Sequence, residues 1–81
     1  MDVDAKLVGR IIQEYRKNSG LSQEVISGLA DLDRTHYSKI ERGERMPTLT
    51  TLFRIANALE IRPCDIIKTI EERMNDNGGL E

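Results

Sequence analysis

The sequence predicts an all-α domain built from five short helices. Apolar residues recur every three or four positions through most of the chain, and no alternating apolar and polar run predicts a strand. A capping residue, a proline or a glycine marks an end of every apolar segment. Among 81 residues only Tyr15, Tyr37 and Phe53 are aromatic, so the core depends on aliphatic side chains, and such a core suits helices.

The first helix is predicted over residues 4–18. It ends at Asn18-Ser19-Gly20, a sequence that favours a helix terminus because glycine readily adopts the left-handed conformation. Its apolar stripe consists of Leu7, Val8, Ile11, Ile12 and Tyr15.

Two shorter helices joined by a tight turn are predicted over residues 21–43. Ser22 is the expected N-cap of the first and Asp33 of the second, and Gly43 is expected to end the second. The apolar faces are Val25, Ile26 and Leu29 on the first helix, and Tyr37 and Ile40 on the second.

The turn between these two helices is only Ala30-Asp31-Leu32. So short a connection makes the helices cross steeply. We expect Asp31 to be left-handed, since aspartate tolerates that conformation better than most non-glycine residues. We expect Leu32 to fill the angle between the helices, and the small residues Ser27 and Gly28 to allow a close approach.

A loop over Glu44–Pro47 precedes the fourth helix, which Thr48 is expected to cap. Pro63 is suited to the first position of the fifth helix, and Asp65 to its first turn. The residues expected to face inward from the fourth helix are Leu49, Leu52, Phe53, Ala56 and Leu59, and the apolar stripe of the fifth is Ile66, Ile67, Ile70 and Met74. Residues 1–74 are predicted to form the domain and 75–81 a flexible tail, in which Leu80-Glu81 has the character of a cloning scar.

The second helix of the pair presents polar side chains on its outward face. They are Arg34, Thr35, Ser38 and Lys39. In the major groove of DNA, arginine or lysine can bind guanine edges and a threonine methyl group can contact thymine. We therefore predict that these four residues contact bases. His36 is expected to be structural, because no metal-ligand partner lies at a suitable spacing.

The net charge of −2 is unevenly distributed along the chain. Residues 34–59 carry five basic residues against two acidic ones, a net charge of +3, whereas residues 1–33 carry −2 and residues 60–81 carry −3. A local basic surface is what neutralisation of phosphates requires. Arg42, Arg45 and Thr48, in and after the loop, are predicted to contact phosphates.

Other classes of function find little support. Glu14, Glu24 and Glu41 are spread over separate helices, and the single histidine has no serine or cysteine partner nearby. No glycine-rich phosphate loop or metal cluster is present, so neither an enzyme nor a cofactor is predicted. We expect Cys64 to pack as a small apolar residue. No apolar run of about 18 residues and no secretory leader is found, so a cytoplasmic location is expected.

Several of these residues together resemble the phage-repressor and Cro-type helix-turn-helix, or xenobiotic-response-element, family. The similar features are Gln23, the segment Asp-Arg-Thr at residues 33–35, Lys-Ile-Glu-Arg-Gly at 39–43, and Arg-Met-Pro-Thr-Leu-Thr-Thr-Leu at 45–52. The resemblance covers about residues 7–67. It implies a compact five-helix, lambda-repressor-like DNA-binding domain with its third helix in the major groove of a double-stranded operator.

The resemblance also implies roles for single residues. Gln23 would donate to a DNA phosphate, and Arg16 would form a partly buried salt bridge with Glu41. The chain's size and its Asp-Arg-Thr segment are similar to controller proteins of restriction–modification systems. Phage-type repressors and antitoxin-like autoregulators remain alternatives.

The fifth helix raises the question of a partner. A domain this small has little surface to hide a second apolar stripe, so Ile66, Ile67, Ile70 and Met74 are predicted to form a homodimer interface; the alternative is that they pack wholly on the fourth helix. Two recognition helices related by a twofold axis would read a pseudo-palindromic operator. An alternative of another class is a protein-interaction module that does not itself read DNA.

Overall fold

The computed structural model describes residues 2–76, which form five helices and no strand. In chain order they are α1 Ala5–Ser19, α2 Gln23–Leu29, α3 Arg34–Glu41, α4 Leu49–Ala58 and α5 Pro63–Met74. The predicted all-α, five-helix fold is confirmed. Asn75 and Asp76, expected in the tail, continue α5 as a further turn, and the remainder of the predicted tail, with Leu80-Glu81, lies outside the described residues.

Side-chain caps begin four of the helices. The side chains of Ser22, Asp33 and Thr48 accept hydrogen bonds from backbone N–H groups in the first turns of α2, α3 and α4, as predicted. Asp4 does the same for α1, which begins at Ala5 and ends at Ser19, before a left-handed Gly20. Each such cap contributes about 1 kcal/mol, so these polar residues fix where each helix starts.

The turn between α2 and α3 has the predicted conformation. Asp31 is left-handed, with φ 58°, and Leu32 N–H donates to the carbonyl of Ser27 at 2.8 Å. Leu32 is half-buried against the core. The two helices are therefore joined at a fixed angle without any glycine in the connection.

The core lies between all five helices, but four predicted core residues are exposed. Val25 and Leu29 on α2, and Leu49 and Phe53 on α4, point to solvent. Because α2 has only seven residues, a single buried turn is enough to pack it against the core. Ile26 and Ala30 are the apolar residues of that turn. On α4, the buried stripe is Leu52, Ile55, Ala56 and Leu59. Phe53 lies about 100° around the helix from Leu52, and Leu49 lies in the first turn.

The apolar stripe of α5 divides between core and surface. Ile66 and Ile70 are buried in the core and offer little surface to a second subunit, whereas Ile67 is exposed and Met74 is half-buried. Cys64 is exposed rather than packed, because it stands in the first turn of α5 beside Pro63.

The closest helix-to-helix approach that a glycine allows is between α1 and α3. A Cβ atom added to Gly9 would lie 2.3 Å from the carbonyl oxygen of Ile40 and 2.5 Å from that of Glu41. Gly28, which we expected to serve this purpose, has nothing within 4 Å of such an atom. Ser27, the other small residue of that pair, is buried. Across residues 2–76 no helix is long and apolar enough to cross a membrane.

Candidate nucleic-acid interface

Helix α3 has one buried face and one face open to solvent. Tyr37, Ile40 and Glu41 are buried, while Arg34 and Thr35 are exposed and Ser38 and Lys39 are half-buried. His36 is half-buried as well. The four residues predicted to contact bases therefore remain accessible to a ligand.

A buried carboxylate anchors the inner face of α3 to α1 and α2. Glu41 accepts hydrogen bonds from Arg16 Nε at 2.6 Å, Gln23 Nε2 at 2.8 Å and Gln13 Nε2 at 3.4 Å, and also from the Tyr37 hydroxyl. The side chains of Arg16 and Glu41 are only 11% and 1% exposed. The predicted salt bridge is thus present and largely buried, and it sets the position of α3 relative to the first two helices.

The partners of Glu41 keep it ionised. Burial opposes its ionisation, but hydrogen bonds from Arg16, Tyr37 and Gln23 outweigh burial and hold the pKa of the carboxyl below its usual value. The pKa of Arg16 is raised by its hydrogen bonds to Glu41, despite some desolvation. Burial and the neighbouring carboxylate raise the pKa of Tyr37, so its hydroxyl stays protonated and donates to Glu41.

Gln23, the first residue of α2, lies between this anchor and the open face. Its Nε2 donates to Glu41, and its Oε1 accepts from the Ser38 hydroxyl at 3.0 Å. Residue spacing does not predict this bridge, because Gln23 and Ser38 are fifteen positions apart.

The outer face forms a shallow polar concavity lined by Arg34, Thr35, Ser38 and Arg42. Within residues 2–76 neither Arg34, Lys39 nor Arg45 forms an ion pair. Because no ion pair holds these three side chains, they are available to an anionic ligand.

The residues predicted to contact phosphates differ in whether their side chains already have partners within the protein. Arg42 is paired with exposed Glu44 through Nε at 2.8 Å and Nη2 at 3.3 Å. The hydroxyl of Thr48 accepts from the backbone of Thr51 and donates to the hydroxyl of that residue at 3.0 Å. Arg45 is exposed in the loop before α4.

The sequence analysis did not identify Gln13 and the Tyr37 hydroxyl as donors to Glu41, nor Gly9 as the residue that lets α1 approach the end of α3. Tyr37 and Glu41 are four residues apart on one helix, a spacing that brings side chains together and that was available as a signal. Gln13 and Gly9 act across helices, and their spacing in the sequence carries no such signal.

Together, the two short helices joined by a tight turn, the third helix held by the buried carboxylate and its open cationic face define a helix-turn-helix DNA-binding regulator. Residues 12–66 match the model of the helix-turn-helix family, and the chain belongs to that family. The sequence-based resemblance is confirmed, and so is the prediction that the chain is a regulator rather than an enzyme.

Similar proteins agree with this assignment. An uncharacterised HTH-type transcriptional regulator, y4dJ of Sinorhizobium fredii, is 33% identical over 67 residues, covering 83% of this chain and 87% of that protein. Control protein C.MunI of a Mycoplasma species is 32% identical over 71 residues, covering 88% of this chain and 96% of the relative. The crystal structure of the restriction-modification controller protein C.AhdI from Aeromonas hydrophila superposes with a TM-score of 0.76 and 35% identity, covering 80% of this chain and 98% of that one.

Proposed function

We propose that the protein acts as a homodimer on a pseudo-palindromic double-stranded operator, with α3 of each subunit in the major groove. The observation that carries this proposal is the open face of α3, where Arg34, Thr35 and Ser38 line a polar concavity and Lys39 is accessible beside them. Glu41 holds the opposite face of the helix against α1 and α2. A protein-docking surface does not need cations free of ion pairs at these positions, so DNA is favoured over an interaction module as the ligand.

The contacts divide by role. Arg34, Thr35, Ser38 and Lys39 read base edges, whereas Gln23, Arg42, Arg45 and Thr48 bind the phosphate backbone and set the register of the helix in the groove. Because the hydroxyl of Thr48 already donates its hydrogen to Thr51 and caps α4, we assign the phosphate contact at this position to backbone N–H groups of that helix terminus.

Arg34→Ala and Arg45→Ala are expected to weaken binding in different ways. Loss of a base contact at Arg34 should lower affinity by about 1–3 kcal/mol and relax the preference at one base pair of each half-site, whereas loss of a phosphate contact at Arg45 should lower affinity evenly for all sequences and flatten the salt dependence. Selection from random DNA fragments, followed by titrations at two salt concentrations, measures both effects. Absence of any enriched sequence with the wild-type protein would contradict the proposed function.

Glu44→Gln is expected to strengthen DNA binding about two- to fivefold at low salt. Glu44 holds the guanidinium of Arg42 and so competes with a phosphate for it, and the effect is small because water screens an exposed pair of this kind. Glu72→Gln makes the same change of charge at an exposed position of α5 and is the control. Equal affinities of the two variants would show that Glu44 does not restrain Arg42.

An exposed apolar surface supports the proposed dimer. It consists of Val3, Met46, Leu49, Phe53 and Ile67, which line neighbouring concavities between the N-terminus, the loop before α4, and α5. Five large apolar side chains on one side of a small domain are more than isolated surface residues explain. Ile67 and the half-buried Met74 are the predicted interface residues that this surface retains.

Ile67→Lys is expected to dissociate the dimer. Sedimentation equilibrium at tens of micromolar should give the dimer mass for the wild type and the monomer mass for the variant, because an ammonium group loses its hydration in an apolar interface. Val25→Lys is the matched control, since Val25 is 47% exposed and Ile67 46%, but Val25 lies on α2. A wild-type monomer that also fails to dimerise on DNA would refute the proposal.

The names of the relatives suggest which type of regulator this chain is and which gene it controls. C.MunI is a control protein and C.AhdI a restriction-modification controller, so we infer that this chain is a controller of similar type, which binds near its own promoter in the cytoplasm. Mapping the selected sequence to the region upstream of its own gene tests this.

A further inference from the structure

The hydroxyl group of Ser38 is already committed to two hydrogen bonds within the protein. It donates its single hydrogen to Gln23 Oε1 at 3.0 Å, and its oxygen accepts from Arg42 Nη1 at 3.2 Å. A serine hydroxyl has one hydrogen and two lone pairs. One lone pair is therefore all that remains for a ligand in the concavity that Ser38 lines.

The direction of the Ser38–Gln23 hydrogen bond follows from the buried anchor. Glu41 is held as a carboxylate by Arg16, and a carboxylate can only accept. The amide of Gln23 must then present Nε2 to Glu41, at 2.8 Å, which leaves Oε1 facing Ser38. Because an amide oxygen can only accept, the Ser38 hydroxyl must donate.

We propose that Gln23 is a positioning residue that makes Ser38 an acceptor-only reader of DNA, so that Ser38 selects the exocyclic amino group of cytosine or adenine. The proposal rests on the proposed function of α3. In the major groove cytosine N4 and adenine N6 are donors, whereas guanine O6 and N7 and thymine O4 are acceptors. A hydroxyl that could rotate freely would accept from the first group and donate to the second, and so would not discriminate between them.

This role is compatible with a phosphate contact by Gln23. Its Nε2 carries two hydrogens, of which Glu41 takes one. The second can donate to a phosphate oxygen while Oε1 keeps the Ser38 hydrogen. Gln23 would then bind a DNA phosphate and also keep the Ser38 hydroxyl oriented as an acceptor toward the bases.

The test uses the full chain and the sequence that the wild-type protein selects from random duplexes. Comparison with the sequences selected by Ser38→Ala locates the base pair that Ser38 reads, as the one at which preference is lost. In that duplex, the cytosine or adenine is replaced by pyrimidin-2-one or purine, which lack the amino group. We expect the wild type to lose threefold to tenfold in affinity, as for one hydrogen bond, and Ser38→Ala to lose much less on the same duplex. Replacing the purine of the pair by its 7-deaza analogue, which removes an acceptor, should affect both proteins equally.

Gln23→Met tests the positioning role. With no acceptor at position 23, the Ser38 hydrogen is free, so inversion of the base pair should cost this variant at least threefold less than it costs the wild type. Circular dichroism checks that the variant folds, and the analogue titrations decide the matter alone if it does not. Three results would overturn this inference but not the proposed function. The wild type could select a sequence in which Ser38→Ala loses no base preference, or both proteins could lose the same affinity on the duplex without the amino group. The third result is a folded Gln23→Met variant that loses as much affinity as the wild type when the base pair is inverted. No enrichment by the wild type would overturn the proposed function with it.

Discussion

Replacing Gly9 with alanine is expected to lower the free energy of unfolding by about 3 kcal/mol or more, which corresponds to a fall in Tm of roughly 12–24 °C for a domain of this size. The added methyl group would lie 2.3 Å and 2.5 Å from the carbonyl oxygens of Ile40 and Glu41. These atoms belong to the backbone of the last turn of α3, so they cannot move aside without shifting the helix. Thermal and denaturant unfolding followed by circular dichroism measure the effect.

Gly28→Ala is the matched control. Gly28 is also a helical glycine, but nothing lies within 4 Å of its added Cβ atom. Alanine is favoured over glycine inside a helix by roughly 0.5–1 kcal/mol, so this variant should be slightly more stable than the wild type. Equal effects of the two substitutions would mean that α1 and α3 do not approach as closely as described.

Glu41→Gln is expected to destabilise the protein by about 3 kcal/mol, because it leaves the charge of Arg16 without its partner in a largely buried position. Glutamine keeps nearly the same shape, so the loss reports the charge and its hydrogen bonds rather than a cavity. Glu44→Gln makes the same chemical change in the exposed pair with Arg42 and should leave stability nearly unchanged, because water screens that pair. Unchanged stability of Glu41→Gln would remove the buried pair from the account of the fold.

The pH dependence of this difference has a defined sign. The pKa of Glu41 is lower in the folded protein than its ordinary value of 4.5. A lowered pKa stabilises the fold above the unfolded value, and that contribution is lost as the pH falls through the folded value. The difference in free energy of unfolding between the wild type and Glu41→Gln should therefore be largest near neutral pH and decrease below about pH 4.5. Glu14 and Glu44 also have lowered pKa values, but both proteins contain them, so they cancel.

The sequence was sufficient for the features that depend on local chemistry. Ser22, Asp33 and Thr48 cap the expected helices because a short polar side chain can reach the backbone two or three residues ahead. The left-handed Asp31 follows from the length of the turn. The position of the cationic face follows from the helical period together with the family resemblance.

The features that depend on how helices meet were not predictable. A periodic apolar stripe does not show which of its residues the neighbouring helices cover. Leu49 and Phe53 were therefore predicted to face the core, although they are exposed. A glycine within a helix suggests only a lower propensity, and nothing in the sequence distinguishes Gly9, which lies against a backbone, from Gly28, which lies against solvent. The bridge from Glu41 through Gln23 to Ser38 joins side chains from two helices of different orientation, and residue spacing does not encode such a contact.

The separation of the two faces of α3 makes the protein a promising scaffold for retargeting. Within residues 2–76, the side chains of Arg34, Thr35 and Lys39 make no hydrogen bond or ion pair with the rest of the chain, so a library randomised at these three positions would search new operators at little cost in folding. Position 38 is different, because its hydroxyl is oriented by Gln23, and a useful library would vary residues 23 and 38 jointly.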